Sequence, residues 1–325
     1  MIDIEYLLFL QKIRLASPDV VVQLFEFISN FGTVFSIPIL CLIYWCCKKE
    51  DGILALWSLG FAMLANGLLK QIMCIYRPWI RDPRIVPPDI ALAGATGYSF
   101  PSGHSTKAAS YLGAIGRQYR KKAVIFYSLF ALIILVCFSR NFLGVHTPQD
   151  VIVGFTCGIL SIPTSWFVLK WEQKEKNRDF VILGVCFLIV AVYLAYINFK
   201  NYPLDYDSNG KLLVDPKKMA LDSWGHGGIF IGVVLGWLIE KRFVKFQAPS
   251  SFLTGICRYV IGIGAILPLK YSKEFFCTLF TDAWGYFTAG FLSFFFVTCL
   301  YPAIFTAVEN CMVKNNPINE QPRNV

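Results

Sequence analysis

"AVIFYSLFALIILVCFSRNFLGVHTPQD", residues 123–150, decides how this chain is read. Residues 123–139 form an uncharged, mostly apolar run, and Arg140, His146 and Asp150 follow close behind. The run is continuous rather than alternating, so it argues for a membrane helix and against a barrel strand. The same pattern recurs along all 325 residues, which are 56% hydrophobic and 16% charged. The mean hydropathy is +0.54, and a soluble domain is usually about 25% charged. Apolar runs fall near 25–47, 52–76, 103–116, 123–139, 151–170, 180–199, 223–239, 251–267 and 284–308, about nine spans. The expected fold class is therefore all-α, a polytopic helical membrane protein. The 103–116 run is short and starts polar, so it would span only with help from its neighbours. Residues 3–15 are too short to span and carry Lys12 and Arg14, which predicts a helix lying in the membrane interface.

The formal charge of +9 fits loops held at anionic lipid better than a nucleic-acid surface. The eleven cysteines are scattered, mostly through apolar runs, and no C-x-x-C occurs. They read as small apolar fillers rather than a disulfide framework or a zinc site. The start, Met-Ile-Asp-Ile-Glu, lacks the basic opening of a cleaved signal peptide.

Hydrophilic gaps set the orientation. Lys48 and Lys49, Arg117 to Lys122, Lys174 to Arg178, and Lys241 to Lys245 all fall on one side, which the positive-inside rule makes cytoplasmic. Segments 77–102, 140–150, 200–222 and 268–283 then face outward. This side also has basic residues, so the bias is moderate. The spans divide into an N-terminal part, 1–172, and a C-terminal four-span part, 173–315. Residues 316–325 read as a disordered tail.

Three outward segments carry polarity that a lipid-embedded chain does not need. In "KQIMCIYRP", Lys70 and Arg77 stand two helical turns apart and Pro78 ends the helix. Snorkelling at the membrane edge explains them equally well. In "FPSGHS", Ser102 is a good N-cap, Gly103 lets backbone approach a ligand, and free N–H groups at a helix start attract anions. An ordinary capped helix with an incidental His104 is the plainer reading. In "SRNFLGVHTPQD", Thr147 and Asp150 have capping-box spacing and Pro148 suits the first helical position. Asp150 either merely caps its helix or holds one ring nitrogen of His146, leaving the other as a nucleophile. Together the three segments offer three cations, neutral donors, two histidines and a carboxylate at one surface. Such a set stabilises a phosphoryl group in transfer. No clustered carboxylates are present to hold Mg²⁺. The constellation points to a metal-independent, cofactor-free phosphatase or phosphotransferase.

These blocks, K-x6-RP, PSGH and SR-x5-H-x3-D, resemble the signature of the type 2 phosphatidic acid phosphatases (PAP2), with no signature position departing. They stand here as Lys70, Arg77 and Pro78; Pro101 to His104; and Ser139, Arg140, His146 and Asp150. The resemblance implies a haloperoxidase-like helical core followed by additional C-terminal transmembrane helices. It also implies a two-step mechanism. His146 would attack phosphorus to form a phosphohistidine, with Asp150 orienting it. His104 would protonate the leaving alkoxide and then activate water. Lys70, Arg77, Ser102, Gly103 and Arg140 would hold phosphate oxygens.

The third histidine lies in "LDSWGHGG", where Asp222 and His226 are four residues apart among glycines. Close helix packing around a hydrogen-bonded histidine is one reading. A headgroup contact that tunes specificity is the other. The long loop 79–100 is either a passive connection or a cover over the site. The leading expectation is a membrane enzyme hydrolysing lipid phosphate monoesters or diphosphates, of the phosphatidic acid, phosphatidylglycerophosphate or polyprenyl diphosphate type, on the non-cytoplasmic face. Its partners would be the bilayer and its lipid phosphate. A lipid phosphotransferase using the same phosphohistidine, and a non-catalytic transporter or scaffold, are the alternatives.

Overall fold

The computed structural model describes residues 2–269 and 271–314. The expected tail, 316–325, lies outside the described residues. Among the described residues the secondary structure is helical, apart from one isolated bridge between Tyr206 and Leu212.

The N-terminal stretch is more broken than its apolarity suggests. After α1 (Ile2–Ala16) come α2 (Asp19–Ser29), a 3-10 turn at Asn30–Gly32, α3 (Ser36–Leu42) and a π-helical turn at Ile43–Cys47. The 25–47 run is thus not one straight helix but two segments bent by 52°. Asn30 and Gly32 are poor helix formers, and the chain turns there as Phe35 N–H returns to the Asn30 carbonyl at 3.0 Å.

The centre of the bundle is α4 (Lys49–Met73), which ends at the left-handed Cys74 (φ 46°). Two one-turn helices, α5 (Pro78–Arg81) and α6 (Asp89–Leu92), lie in the long loop. Then come α7 (Gly103–Gln118), α8 (Ala123–Phe142), α9 (Pro148–Glu172) and α10 (Arg178–Phe199). α11 (Pro216–Ile239) runs into a π-helical turn at Glu240–Val244. α12 (Phe252–Leu269), α13 (Ser272–Leu279) and α14 (Asp282–Phe295) follow, and a π-helical turn at Phe296–Leu300 joins α14 to α15 (Tyr301–Lys314).

Six of these helical stretches are long and apolar enough to cross a membrane, or seven if the bent N-terminal pair counts as one span. This multi-pass chain therefore has fewer such helices than the nine apolar runs suggested. α7, with 16 residues, is too short and mostly buried. α11 has 24 residues, but Asp222, His226 and its glycines dilute its apolarity. Both pack inside the molecule, so neither needs a fully apolar surface.

α4 is 72% buried over its apolar window, against 28% for α8 and 33% for α9, so it is the axis around which the others pack. The backbones of α7 and α9 come close at Gly154 and Gly158. A Cβ at Gly154 would lie 2.6 Å from the Ser102 carbonyl oxygen, and one at Gly158 2.5 Å from that of Thr106. α11 meets α14 through Gly228 and Gly232, whose added Cβ atoms would strike the Phe287 and Phe291 carbonyls. The close packing expected around "WGHGG" is present there. One continuous apolar core joins the two halves of the chain, with Trp57 of α4 against Phe230 and Trp237 of α11.

The two ends of the bundle differ chemically. At one end Lys49 pairs with Glu240 at 2.6 Å, Arg242 with Asp179 at 2.6 Å, and Lys241 with Glu172. This end carries the basic loops. The other end gathers the C-terminus of α4, the N-termini of α7, α9 and α11, and the C-terminus of α8. There α1 packs its buried Ile4, Leu7 and Leu10 inward. Arg14 is buried too, and its guanidinium donates to the Phe142 carbonyl at 2.7 Å and the Val86 carbonyl at 2.5 Å.

Candidate active site

Helix ends bring the three polar segments together. Ser102 Oγ caps α7 by accepting from Ser105 N–H at 3.4 Å, and Ser102 N–H donates to the Asp150 carbonyl at 2.8 Å. The α7 and α9 N-termini are therefore neighbours, and their unpaired N–H groups add a positive field at one spot. Thr147 and Asp150 form the expected capping box. The Asp150 carboxylate has other partners as well. Its Oδ2 accepts from Thr147 N–H at 2.8 Å and Ser99 Oγ at 2.5 Å, and it lies 3.5 Å from His146 Nδ1.

His146 is buried between two guarded ring nitrogens. Nδ1 faces Asp150 Oδ2 and Ser99 Oγ, the latter at 3.4 Å. Nε2 lies 2.9 Å from Arg77 Nη1. A guanidinium can only donate, so Nε2 must carry the lone pair and Nδ1 the proton. Burial first, and the Arg77 charge second, push the pKa of His146 well below the ordinary imidazole value. Asn141 Nδ2 fixes the backbone by donating to the His146 carbonyl at 2.9 Å.

The cations are held by backbone. Arg77 donates from Nε to the Gly97 carbonyl at 3.0 Å, from Nη2 to Thr96 at 3.1 Å and from Nη1 to Val145 at 2.9 Å. Lys70 Nζ donates to the carbonyls of Tyr98 at 2.8 Å and Pro101 at 3.1 Å. The loop 79–100 is therefore not a passive connection, since its last residues set both cations in place. Arg140 turns the other way. Its Nη1 donates to Ser29 Oγ and lies 3.8 Å from Glu26 Oε2, while its Nε is buried without a partner.

A cavity of about 550 Å³ opens at this end. Of the residues singled out from the sequence, Lys70, Arg77, Gly103, His104, His146, Asp222 and His226 line it. Ser102, Arg140 and Asp150 stand behind that wall rather than in it. The His104 side chain makes no hydrogen bond or ion pair among the described residues, so its imidazole is open to the cavity. His226 departs from the hydrogen-bonded packing histidine expected, because its Nδ1 is buried with no partner.

Sequence reasoning missed Ser99, Glu26 and Ser29. Glu26 had a signal, a carboxylate inside the apolar "LFEFI". Ser99 had none, because nothing in "YSFPSGH" tells which serine meets Asp150.

The geometry meets an independent pattern in the chain. Residues 51–177 match the PAP2 superfamily profile, and residues 224–311 match that of the PAP2 superfamily phosphatase, transmembrane extension. The chain belongs to the PAP2 superfamily. Among curated relatives of this PAP2 phosphatase is a phosphatidylglycerophosphatase B of Bacillus subtilis, 32% identical over 46% of this chain and 74% of the relative. An undecaprenyl-diphosphatase of Sulfolobus acidocaldarius is 31% identical over 47% of this chain and 70% of the relative. A lipid phosphate phosphatase delta of Arabidopsis thaliana is 21% identical but aligns with 76% of this chain and 62% of its own length. No solved structure matches the chain. The PAP2 profile covers every signature residue, and the extension profile begins between Asp222 and His226.

Proposed function

We propose that this PAP2 phosphatase hydrolyses lipid phosphates through a phosphohistidine on His146 Nε2, without a metal ion. The observation that carries this is the 2.9 Å contact between Arg77 Nη1 and Nε2. It fixes the tautomer in which Nε2 is unprotonated, with His146 lining the cavity. A phosphate entering between them would meet a nucleophile and a cation at once. Nε2 would bond to phosphorus as the ester bond breaks, and His104, whose pKa burial and the neighbouring cations hold down until the phosphate dianion offsets them, would then carry a proton and give it to the leaving alkoxide. His104, now neutral, would take a proton from water as that water attacks the phosphohistidine. Inorganic phosphate leaves and His146 returns to its starting form. Lys70, Arg77 and the N–H groups at Gly103 would neutralise the equatorial oxygens. Ser102 and Arg140 would support them from behind the wall. Among the described residues Asp222 is the one carboxylate lining the cavity, and a single carboxylate offers a hard cation too few oxygens. The relatives' names support monoester and diphosphate lipids as candidate substrates, and the basic loops at the opposite end support an active site on the non-cytoplasmic face.

Rapid quench with a ³²P-labelled lipid phosphate tests the reading. An acid-labile, base-stable phosphoenzyme should form in the wild type with EDTA present and be absent from His146→Ala. Phosphate release with no such intermediate, or release that needs a divalent cation, would overturn it. Transfer of the label to an added alcohol in place of water would identify a phosphotransferase instead.

A further inference from the structure

The cavity has a second wall that the phosphate chemistry does not use. α7 adds Lys107, one turn beyond His104 on the same helix face and about 4.5 Å further along its axis. α11, from the C-terminal half, adds Asp222 and His226 on one face. Gln71 Nε2 locks α11 to α4 by donating to the Met219 carbonyl at 2.6 Å and Ser223 Oγ at 2.9 Å. Asp222 and His226 therefore stand on a fixed wall rather than a loose neighbour.

These three side chains are polar groups without partners. Among the described residues Lys107 Nζ and the Asp222 carboxylate make no hydrogen bond or ion pair, and His226 Nδ1 is buried with none. Lys107 and Asp222 lie within each other's field, and Lys70, Lys218 and Lys273 also act on Asp222. Lys273 itself rests 4.7 Å over the Tyr286 ring. Buried polar groups left unsatisfied cost stability. One such buried nitrogen on His226, with the partnerless Lys107 and Asp222 half-exposed in the same cavity and Lys70 and Arg77 already bonded to backbone beside them, makes sense as a ligand subsite.

The chemistry of that subsite is selective. An ionised carboxylate can only accept hydrogen bonds. Asp222 therefore favours a hydroxyl or an ammonium over a group that offers acceptors alone. Lys107 balances its charge and can meet a phosphodiester or ester oxygen further along the substrate. The position one turn from His104 corresponds to groups a few bonds from the leaving oxygen. Resting on the reading that His146 and His104 flank the scissile phosphate, we propose that Lys107, Asp222 and His226 form a leaving-group subsite supplied largely by the C-terminal helices. It receives a hydroxyl or ammonium close to the ester oxygen. The preferred substrate is then a lipid phosphate monoester whose alcohol carries such a donor, rather than a diphosphate or an alcohol with acceptors alone.

The test is kcat/KM of the full-length protein in mixed micelles on four lipids. Phosphatidylglycerophosphate offers a hydroxyl, and a sphingoid-base 1-phosphate offers an ammonium. Phosphatidic acid and undecaprenyl diphosphate offer neither. The wild type should prefer at least one donor-bearing lipid to phosphatidic acid by about tenfold or more. Asp222→Asn should reduce that ratio at least about tenfold, and the lipid that loses most identifies the donor. His226→Gln is the second variant, expected to lower the same ratio, with thermal melting reporting the fold of both. Equal loss on all four lipids, or a wild-type preference for undecaprenyl diphosphate, would overturn the subsite while leaving the phosphohistidine reading intact. No release from any lipid, with His146→Ala indistinguishable from wild type, would overturn both.

Discussion

Asp150→Asn isolates what the carboxylate does for His146, because one oxygen, Oδ2, performs every task. It caps α9 through Thr147 N–H at 2.8 Å, accepts from Ser99 Oγ at 2.5 Å, and faces Nδ1 at 3.5 Å. Asparagine can keep the capping contact by placing its oxygen where Oδ2 stood, but it brings no charge. As Nε2 bonds to phosphorus, the imidazole becomes positive, and the carboxylate stabilises that charge. Two unit charges at 3.5 Å interact by about 5 kcal/mol at an effective dielectric of about 20 and about half that at 40. This corresponds to a fall in kcat of roughly 50- to 4,000-fold. If the amide instead turns its NH₂ toward the ring, Nδ1 must accept and the proton moves to Nε2, facing the Arg77 donor. That also suppresses attack. Asp150 stands behind the cavity wall, so KM should stay within about threefold, since the interaction matters mainly in the transition state. The measurement is steady-state phosphate release, with quench-flow to follow the phosphoenzyme. An unchanged kcat with a raised KM would refute the reasoning and make Asp150 a binding residue or a simple cap.

Ser99→Ala removes the 2.5 Å contact to Asp150. It should lower kcat about tenfold without altering KM, and a wild-type kcat would show that Asp150 needs no second support. Gly154→Ala places a methyl carbon 2.6 Å from the Ser102 carbonyl oxygen and 3.1 Å from Thr106 Oγ1. It should cost about 1–3 kcal/mol as a lower melting temperature and reduce activity by moving α7 away from α9; unchanged melting would refute that packing account. The depressed pKa of His146 means that its ring stays neutral as pH falls through about 6.5, the ordinary value, and protonates only well below it. ¹⁵N NMR of labelled histidine, assigned by loss of the His146→Gln signal, should show a neutral ring at pH 6, and an imidazolium shift there would contradict the burial argument.

How far the sequence could be read depends on whether an interaction is local. The three signature blocks were legible because each function lies within one helix end, where cap spacing and proline leave a pattern. Local spacing also exposed the Asp150 cap. It could not reveal that Arg140 turns to Glu26 and Ser29, since those partners lie on α2 and meet it only after the chain bends near Asn30. Nor could it reveal that carbonyls at 96–101 hold Lys70 and Arg77, because backbone acceptors carry no residue signature. Apolar runs outnumber the helices long and apolar enough to cross a membrane for a related reason. Apolarity records burial, and α7 and α11, which run from the site end to the basic end, pack largely against protein. Around the third histidine, α11 uses Gly228 and Gly232 to approach α14, the close packing the glycines pointed to, while Asp222 and His226 line the cavity.

The same contacts bear on the orientation. Basic residues on both sides weakened the positive-inside argument, and the structure shows which of them are already held by protein. At the site end Arg14, Lys70 and Arg77 are bound to carbonyls, Arg84 pairs with Asp82 at 2.8 Å, and Lys217 pairs with Asp282 at 2.9 Å. At the opposite end Arg120, Lys121, Lys122, Lys174 and Lys176 are exposed. Charges already committed to protein contribute little to a lipid surface, whereas exposed lysines and arginines each contribute about 1 kcal/mol beside anionic lipid. Lys12, Lys211 and Lys218 are exposed at the site end as well, so the bias stays moderate, and it favours the proposal that the cavity lies on the outer side. Cysteines placed at exposed Asn209 and at exposed Glu175 should then differ in intact cells. Asn209→Cys should react with a membrane-impermeant maleimide, and Glu175→Cys should react only after permeabilisation, each measured against the signal of the native cysteines. The reverse pattern would place the cavity on the cytoplasmic side, and the charge argument would fail with it.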